Sequence, residues 1–333
     1  MIVFNNREIG GENPAYIIAE MGVNHNGRLD VALEMVEEAV KCGVDALKVQ
    51  IVDADRSYTK NSESYSIFKR VELKIDEWGE IVKLAKKLSL DIFASFSQPK
   101  DVRIAEQLAL PAIKVSSGNI TNFPFLKAVA KTGKPLFLST GLSYLSEVDE
   151  AVRYLEENGN KQIGILQCTS LYPTEHKDVN LLAIKTLQKS FPYPIGFSDH
   201  TLGVSCAIAS VALGAKIIEK HFTLDKSMQG PDHKFSATPE ELAQMVKSIR
   251  EVELSMGFSM KRPVADEISL REKLRRSIVV VRNIEKGEIL TEDKISIKRS
   301  DEKGLEPRYF EIVLGRKARK NIPKDKPITF ESI

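Results

Sequence analysis

This chain is organised around a repeated unit, in which a short apolar run is followed by a helix-like stretch. The unit occurs eight times, with the apolar runs at residues 15–20, 45–50, 91–96, 112–117, 135–140, 162–168, 194–199 and 215–221. Most of these runs are continuously apolar, which is typical of parallel strands that are buried on both faces. Eight such units predict a (β/α)8 TIM barrel. The alternative is an open doubly wound sheet, but no GxGxxG motif follows the first run.

Polar side chains gather where these apolar runs end. The active sites of (β/α)8 enzymes are built at the carboxyl ends of the strands, and a buried charge without a partner is costly. We therefore predict that the ends of the runs form the functional site, although Ser139 and Ser198 could instead cap the helices that follow them. The polar residues at these positions are Glu20, Lys48, Gln50, Ser95, Lys114, Ser116, Ser117, Ser139, Thr140, Gln167, Ser198, Asp199, His200, Glu219, Lys220 and His221.

Two histidines, His200 and His221, lie at the ends of the seventh and eighth runs. Neighbouring strands lie about 4.8 Å apart, so two imidazoles at adjacent strand ends can share one divalent ion. For either residue alone, a histidine that only makes structural hydrogen bonds is the alternative. Their pairing on adjacent predicted strands favours a metal site.

Two lysines, Lys48 and Lys114, lie in runs that the apolar pattern predicts to be buried. Lysine is rarely buried unless its charge is paired. We therefore expect the two lysines to bind an anion. The alternative is an internal ion pair with Glu20 or Glu219.

The chain is long enough for one large domain and one small domain, since it has 333 residues of which 42% are hydrophobic. Residues 258–276 contain Pro263, mixed charges and little apolar periodicity, so they are predicted to be a linker. The barrel is then predicted over residues 1–257. Residues 277–333 carry short strand-like segments and are predicted to form a small, mostly β domain with a thin core.

The composition argues against several classes of partner. The formal net charge is only +2, and the mildly basic C-terminal region shows no aromatic interleaving and no nucleic-acid-binding motif. No apolar run reaches 18 residues, and the first residues lack an apolar leader segment. The cysteines lie in apolar contexts without a CxxC spacing, which favours reduced core residues. We therefore expect a cytoplasmic protein that binds neither nucleic acid nor a membrane.

Four motifs and the C-terminal segment resemble those of one known family. The motifs are Ile-Ala-Glu-Met-Gly-Val-Asn-His-Asn-Gly at 18–27, Ser-Asp-His-Thr at 198–201, Glu-Lys-His-Phe-Thr-Leu-Asp at 219–225 and Gly-Pro-Asp-His at 230–233. They resemble, in the same order, motifs of the sialic acid (N-acetylneuraminate) synthase family. The C-terminal segment, with Lys-Gly-Glu at 286–288 and Leu-Gly-Arg at 314–316, is similar to the antifreeze-like (SAF) domain that ends these enzymes.

This resemblance implies a nonulosonic acid synthase, a transferase that forms a carbon–carbon bond. Such an enzyme condenses phosphoenolpyruvate with an N-acylated amino sugar in open-chain form, and it releases a nine-carbon 2-keto sugar acid and phosphate. The sugar would be N-acetylmannosamine or a 2,4-diacetamido-trideoxyhexose, on the route to sialic, legionaminic or pseudaminic acid. The resemblance also implies a divalent metal ion, Mn2+ or Mg2+, and a domain-swapped homodimer in which the SAF domain covers the partner's barrel mouth.

The resemblance further implies roles for individual residues. Glu20 would be a catalytic carboxylate, and His200 and His221 would be catalytic metal ligands. Contacts to the substrates are implied for Lys48, Lys114, Ser117, Ser139, Ser170, Tyr172, Ser198 and, across the dimer, Arg299.

One position departs from the family pattern. The family usually has Ser-Gly-Glu or Ser-Gly-Asp after the fourth strand, whereas this chain has Ser117-Gly118-Asn119. Asparagine can hydrogen-bond a sugar hydroxyl but cannot act as a base. Asn119 is therefore assigned to substrate binding.

Two other functions remain open from the sequence. The first is another metal-dependent barrel aldolase or 3-deoxy sugar acid synthase that acts on a phosphosugar. It predicts additional phosphate-binding residues or a glycine-rich loop after the seventh and eighth strands, where this chain has histidine and aspartate. The second is a carbohydrate-binding homologue that has lost catalysis, which only Asn119 favours.

Overall fold

Eight parallel strands close into a barrel in the computed structural model, which describes residues 1–5 and 7–333. An antiparallel hairpin precedes them. The strands of the hairpin and the barrel are β1 (Ile2–Phe4), β2 (Arg7–Ile9), β3 (Tyr16–Gly22), β4 (Ala46–Gln50), β5 (Asp91–Ser95), β6 (Ile113–Val115), β7 (Leu136–Ser139), β8 (Ile163–Cys168), β9 (Ile195–Asp199) and β10 (Ile217–His221). Each predicted apolar run overlaps one strand from β3 to β10, so the predicted TIM barrel is confirmed.

The barrel closes because β10 pairs with both β9 and β3. The ladders from β3 to β10 are parallel, and a bulge between Glu20 and Gly22 interrupts the register of β3 against β4. Parallel pairing brings the carboxyl ends of all eight strands to one rim. The bulge changes the direction of the backbone where Glu20 lies, at this rim.

Helices connect the strands and cover the outside of the barrel. They are α1 (Leu29–Cys42), α2 (Ala54–Ser57), α3 (Glu63–Val71), α4 (Ile75–Lys87), α5 (Arg103–Gln107), α6 (Phe123–Ala130), α7 (Leu145–Glu157), α8 (Ala183–Ser190), α9 (Ser205–Ala212) and α10 (Pro239–Met256), with 3-10 turns at Pro99–Val102, Ser117–Asn119 and His176–Asp178. In α1 the apolar residues recur every three or four positions, and Val31, Met35 and Ala39 are buried against the barrel core. None of the helices in the described part of the chain combines the length and apolar character needed to cross a lipid bilayer.

The hairpin of β1 and β2 was not foreseen from the sequence. Ile2 is paired with Ile9, and both side chains are fully buried. They pack inside the barrel with Tyr16, Phe93 and Phe137, near the amino ends of the strands. The hairpin therefore fills the end of the barrel opposite the rim where the strands finish.

The chain separates into two compact units, Met1–Gly257 and Phe258–Ile333. The second unit contains α11 (Ala265–Leu274), β11 (Arg276–Val280), β12 (Ile295–Arg299) and α12 (Phe310–Val313), with 3-10 turns at Glu292–Lys294, Pro307–Tyr309 and Phe330–Ser332. Strands β11 and β12 are antiparallel, and the unit has its own core, which includes Ile278, Leu290 and Val313. The stretch 258–276, predicted to be a linker, includes the whole of α11.

Candidate active site

A cavity of about 210 Å³ lies at the carboxyl ends of the barrel strands. Most of the residues that the sequence predicted for the site line it, namely Lys48, Lys114, Ser117, Ser139, Tyr172, Ser198, His200 and His221. Gln50, Ser95, Cys168 and Glu219 also contribute to the lining. The parallel strands therefore bring side chains that are far apart in the sequence together in one cavity.

Glu219 in β10 is the electrostatic centre of this cavity. Its Oε1 accepts hydrogen bonds from Lys48 Nζ at 3.2 Å, from Lys114 Nζ at 3.3 Å and from Ser198 Oγ at 2.9 Å. All four side chains are buried. Burial alone would raise the pKa of Glu219, but the charges of the two lysines and the serine hydrogen bond hold it well below its usual value. Glu219 is therefore ionised, and the two ammonium groups converge on one anionic group.

Lys48 also contacts Glu20, the carboxylate near the end of β3. Its Nζ lies 2.9 Å from Oε2 of Glu20, while Oε1 of Glu20 accepts a hydrogen bond from Gln50 Nε2 at 2.8 Å. Burial lowers the pKa of Lys48 to about 7, against the opposing effect of Glu219. Both internal ion pairs that were the alternative to anion binding are therefore present, and they hold the lysine between two carboxylates.

The rings of His200 and His221 lie side by side in the cavity, with centroids 5.3 Å apart. Nδ1 of His200 donates a hydrogen bond to the carbonyl oxygen of Thr169 at 2.8 Å, so its Nε2 is left for another ligand. Nδ1 of His221 is buried and has no hydrogen-bond partner among the described residues. Burial, with the charges of His200 and Lys48, lowers the pKa of His221 well below its usual value. The ring is therefore neutral, which is the form that binds a metal ion.

Gly22 leaves a small space beside His221. A Cβ at this position would lie 3.0 Å from Oδ2 of Asp232, 3.4 Å from Nδ1 of His221 and 3.5 Å from Oε1 of Glu20. The φ angle of Gly22 is 55°, a conformation that other residues rarely adopt. Glycine thus keeps open a cradle on which three polar atoms converge.

The donor atoms present fit a divalent ion only in part. Among residues 1–5 and 7–333, no three or more His, Cys, Asp or Glu side chains are arranged to hold a metal ion by themselves. The paired rings of His200 and His221, with the nitrogen of His221 that lacks a hydrogen-bond partner, do suit an ion whose remaining ligands are water or substrate.

Cys168, at the end of β8, lines the cavity, although its apolar context suggested a core residue. Its Sγ lies 3.6 Å from Ser117 Oγ and 3.9 Å from His200 Nδ1. Burial alone would raise its pKa, but the hydrogen bond with His200 lowers the pKa to about 7. Gly141 makes this close packing possible, since any side chain there would collide with the hydroxyls of Ser117 and Ser170. The predicted Ser170 therefore lies directly beside the lining.

Tyr172 lies over the two histidines. Its ring centroid is 4.2 Å from that of His200 and 6.1 Å from that of His221. Phe235 packs against both Tyr172, at 5.7 Å, and His221, at 5.0 Å. Burial raises the pKa of Tyr172, so its hydroxyl stays protonated and can donate a hydrogen bond.

Two of the predicted residues are placed elsewhere. Asn119 lies outside the cavity lining, because its Nδ2 donates to Ser116 Oγ at 3.1 Å and its Oδ1 accepts from Asn122 Nδ2 at 3.0 Å. The Oδ1 of Asn122 in turn accepts from the backbone N–H of Phe125 in α6. This chain of hydrogen bonds indicates a structural role, and the assignment of Asn119 to substrate binding stays a prediction. Arg299 ends β12 in the second unit, where its side chain is exposed.

Two features of the candidate site were not predicted from the sequence. Asp232 lies 3.5 Å from Nδ1 of His221, and burial raises its pKa to about 6. Its place in the motif at 230–233 was a signal that could have identified it. The second feature is an apolar wall, formed by Val52, Tyr58, Phe68 and Phe96. Three of its residues lie in the connection between β4 and α4, where the repeated βα pattern predicts nothing.

Residues 35–261 match the model of the NeuB family, and residues 275–333 match that of the SAF domain. An uncharacterized protein of Methanocaldococcus jannaschii is 46% identical over 332 residues, which cover 100% of this chain and 98% of that protein. The N,N'-diacetyllegionaminic acid synthase of Campylobacter jejuni is 38% identical, with coverage of 94% of this chain and 98% of that enzyme.

A similar solved structure is the crystal structure of the N-acetylneuraminic acid (sialic acid) synthetase from Leptospira borgpetersenii in complex with citrate. It matches this structure with a TM-score of 0.77 and 34% sequence identity, and the match covers 82% of this chain and 96% of that one. The expected family is therefore confirmed over nearly the whole chain.

Proposed function

This chain belongs to the NeuB family, and we propose that it is a nonulosonic acid synthase that joins phosphoenolpyruvate to an N-acylated amino sugar. The observation that carries the proposal is that two buried lysines, Lys48 and Lys114, line the same cavity as the paired rings of His200 and His221. The two lysines suit an anionic co-substrate, and the two histidines suit the sugar aldehyde with which that co-substrate reacts.

Phosphoenolpyruvate carries a phosphate and a carboxylate, so its site needs cations and hydrogen-bond donors. Lys48 and Lys114 supply the cations, and Ser117, Ser139 and Ser198 supply hydroxyls in the same cavity. The Oγ of Ser139 is buried without a hydrogen-bond partner among the described residues, which would be costly unless a ligand oxygen pairs with it.

The proposed reaction balances without a further reactant except water. A bond forms between C3 of phosphoenolpyruvate and the aldehyde carbon of the sugar, and water adds to C2. Phosphate then leaves with the bridging oxygen, so the new keto oxygen comes from water. One proton of that water ends on the former aldehyde oxygen and the other on phosphate.

We propose that Glu20 and Lys48 move these protons. They lie 2.9 Å apart in a buried site, and the pKa of Lys48 is about 7. A group whose pKa is near the working pH is the most effective general acid or base. Tyr172, whose ring lies over the histidines, is proposed to donate a hydrogen bond to the sugar.

We also propose that His200 and His221 hold Mn2+ or Mg2+. Such an ion would act as a Lewis acid on the sugar aldehyde. His221→Ala should abolish Mn2+ binding, measured by calorimetric titration, together with turnover, and circular dichroism should remain that of the folded barrel. His176→Ala, which changes a histidine in an exposed 3-10 turn, is the matched control and should bind Mn2+ normally. Unchanged Mn2+ binding by His221→Ala would contradict the metal role.

The proposal includes a domain-swapped homodimer, in which Arg299 of one protomer serves the sugar site of the other. The apolar side chains of Ile268, Leu270 and Leu274 in α11 are about half exposed in the single chain, which supports a partner surface. Light scattering should then give twice the chain mass of 37.2 kDa. A monomer at micromolar concentration would exclude this arrangement.

The decisive experiment measures phosphate release from phosphoenolpyruvate in the presence of Mn2+. N-acetylmannosamine and 2,4-diacetamido-2,4,6-trideoxymannose are tested side by side, with a reaction that lacks sugar as the control. Release that depends on either sugar is the expected result. If phosphate is released with neither sugar, the synthase proposal fails and a phosphosugar acceptor or a lost activity is favoured.

A further inference from the structure

The apolar wall differs in character from the rest of the catalytic cavity. The rings of Tyr58 and Phe68 are stacked, with centroids 5.1 Å apart and an angle of 21° between their planes. Phe96 follows β5 directly and is only 1% exposed. Val52 and Phe68 contribute no polar side-chain atom to the lining, so this part of the cavity offers a ligand mostly carbon atoms.

Polar contacts between α2 and α3 hold the wall in place. Asp55 in α2 accepts hydrogen bonds from Tyr65 Oη at 2.9 Å and from Lys69 Nζ at 2.8 Å, both in α3. The backbone N–H of Ala54 donates to Oε1 of Glu72 at 2.7 Å, which ties the start of α2 to the end of α3. The two aromatic rings thus belong to a segment whose two helices are joined by hydrogen bonds. The wall is therefore formed before a ligand binds.

We infer that the apolar wall selects an acceptor sugar in which methyl and acetamido groups replace hydroxyls. The substrate class is a 2,4-diacetamido-2,4,6-trideoxyhexose rather than N-acetylmannosamine. This inference rests on the proposed function, because it concerns the sugar that shares the cavity with phosphoenolpyruvate. It assigns the specificity to Phe68 and Tyr58, which belong to the connection between β4 and α4.

The physical reason is the asymmetry between gaining a methyl contact and burying an unpaired hydroxyl. A sugar bound in this cavity contacts the wall, and the carbon atoms of the wall cannot form hydrogen bonds with the hydroxyls of N-acetylmannosamine. A methyl group at the same place gains apolar contact instead. One methyl or methylene in an apolar pocket changes kcat/KM by about tenfold to about 200-fold, so the trideoxy sugar should be preferred at least about tenfold.

The test compares kcat/KM for the two sugars, 2,4-diacetamido-2,4,6-trideoxymannose and N-acetylmannosamine, in the full-length protein and three variants. Phe68→Ser removes the ring and should lower the preference ratio about tenfold. Phe68→Leu keeps an apolar side chain and should retain most of the ratio, which guards against a variant that merely folds poorly. Tyr144→Ser, at an aromatic residue that is 82% exposed and outside the cavity, is the matched control and should leave the ratio unchanged.

The outcomes separate this inference from the proposed function. Equal or better use of N-acetylmannosamine by the natural sequence would overturn the inference and leave the synthase proposal intact. A ratio that Phe68→Ser does not change would also overturn it. If neither sugar supports phosphate release, the synthase proposal fails. The dissociation constants of the two sugars then test the inference about the apolar wall. If the trideoxy sugar binds at least tenfold more tightly than N-acetylmannosamine, and Phe68→Ser weakens that binding, the selective role of the wall is supported. Equal binding of the two sugars would overturn it.

Discussion

At the scale of single residues, Lys48 shows how burial changes the chemistry of an ordinary side chain. It is 4% exposed and lies between Glu20 and Glu219, at 2.9 Å and 3.2 Å. Burial disfavours the charged ammonium and lowers its pKa to about 7, although the carboxylates oppose this effect. A lysine in this state can bind an anion when protonated and can also exchange a proton near neutral pH.

The pKa of Lys48 predicts a pH dependence for phosphoenolpyruvate binding. The positive charge is present below pH 7 and is lost as the pH rises through this value, so the KM for phosphoenolpyruvate should increase several-fold between about pH 6.5 and about pH 8.5. Arginine keeps its charge over this range. Initial rates of Lys48→Arg should therefore give a flatter profile. Identical profiles for the two proteins would show that another group controls binding.

At the scale of secondary-structure elements, a buried ion pair joins β9 to β10. Lys220 Nζ lies 2.9 Å from Oδ2 of Asp199 and also donates to the carbonyl oxygen of Thr201, while the N–H of Thr201 donates to Oδ1 of Asp199 at 2.9 Å. Asp199 and Lys220 are each next in sequence to a histidine of the candidate site. Because side chains alternate along a strand, the ion pair holds the two strand ends together from the side away from the cavity.

Breaking this ion pair should destabilise the barrel. Asp199→Asn would leave the charge of Lys220 buried without its partner, which costs about 3–5 kcal/mol. Urea unfolding followed by circular dichroism measures the loss. The matched control is Asp149→Asn, which breaks an exposed pair with Arg153 in α7 and should cost about 0.5 kcal/mol or less. Equal costs for the two variants would mean that Asp199 contributes no more than a surface charge.

At the scale of the whole molecule, the chain is built from two units that each have a core of their own. The barrel core runs through residues such as Ile17, Leu47 and Phe125, and the second core is built around Ile278 and Val313. A unit that buries its own apolar residues has the means to fold independently.

We therefore predict that removing residues 277–333 leaves a folded barrel whose use of the sugar is badly impaired. Circular dichroism and cooperative unfolding test the fold, and the KM for the sugar tests the site. Arg299→Ala in the intact chain should reproduce much of the sugar defect, since the resemblance implies that this residue contacts the substrate across the dimer. Normal sugar kinetics in the truncated chain would show that the C-terminal domain does not contribute to the active site.

The barrel and most of the residues that meet at its rim could be predicted from the sequence alone. Continuous apolar runs are a local property, and parallel pairing brings the ends of all the strands together whatever their separation along the chain. This is why Lys48, Lys114, Ser198 and the two histidines could be placed in one site without coordinates. The motifs added the family, because four of them occur in the expected order.

The directions and contacts of the remaining side chains depend on the tertiary structure and could not be predicted. Asn119 is held by Asn122 instead of lining the cavity, Cys168 lines it instead of filling the core, and the ring of Phe68 forms part of a wall. Each of these outcomes depends on contacts between residues far apart in sequence, or on one of several rotamers that a local pattern does not distinguish. The same holds for the hairpin of β1 and β2, whose burial depends on the space left inside the finished barrel.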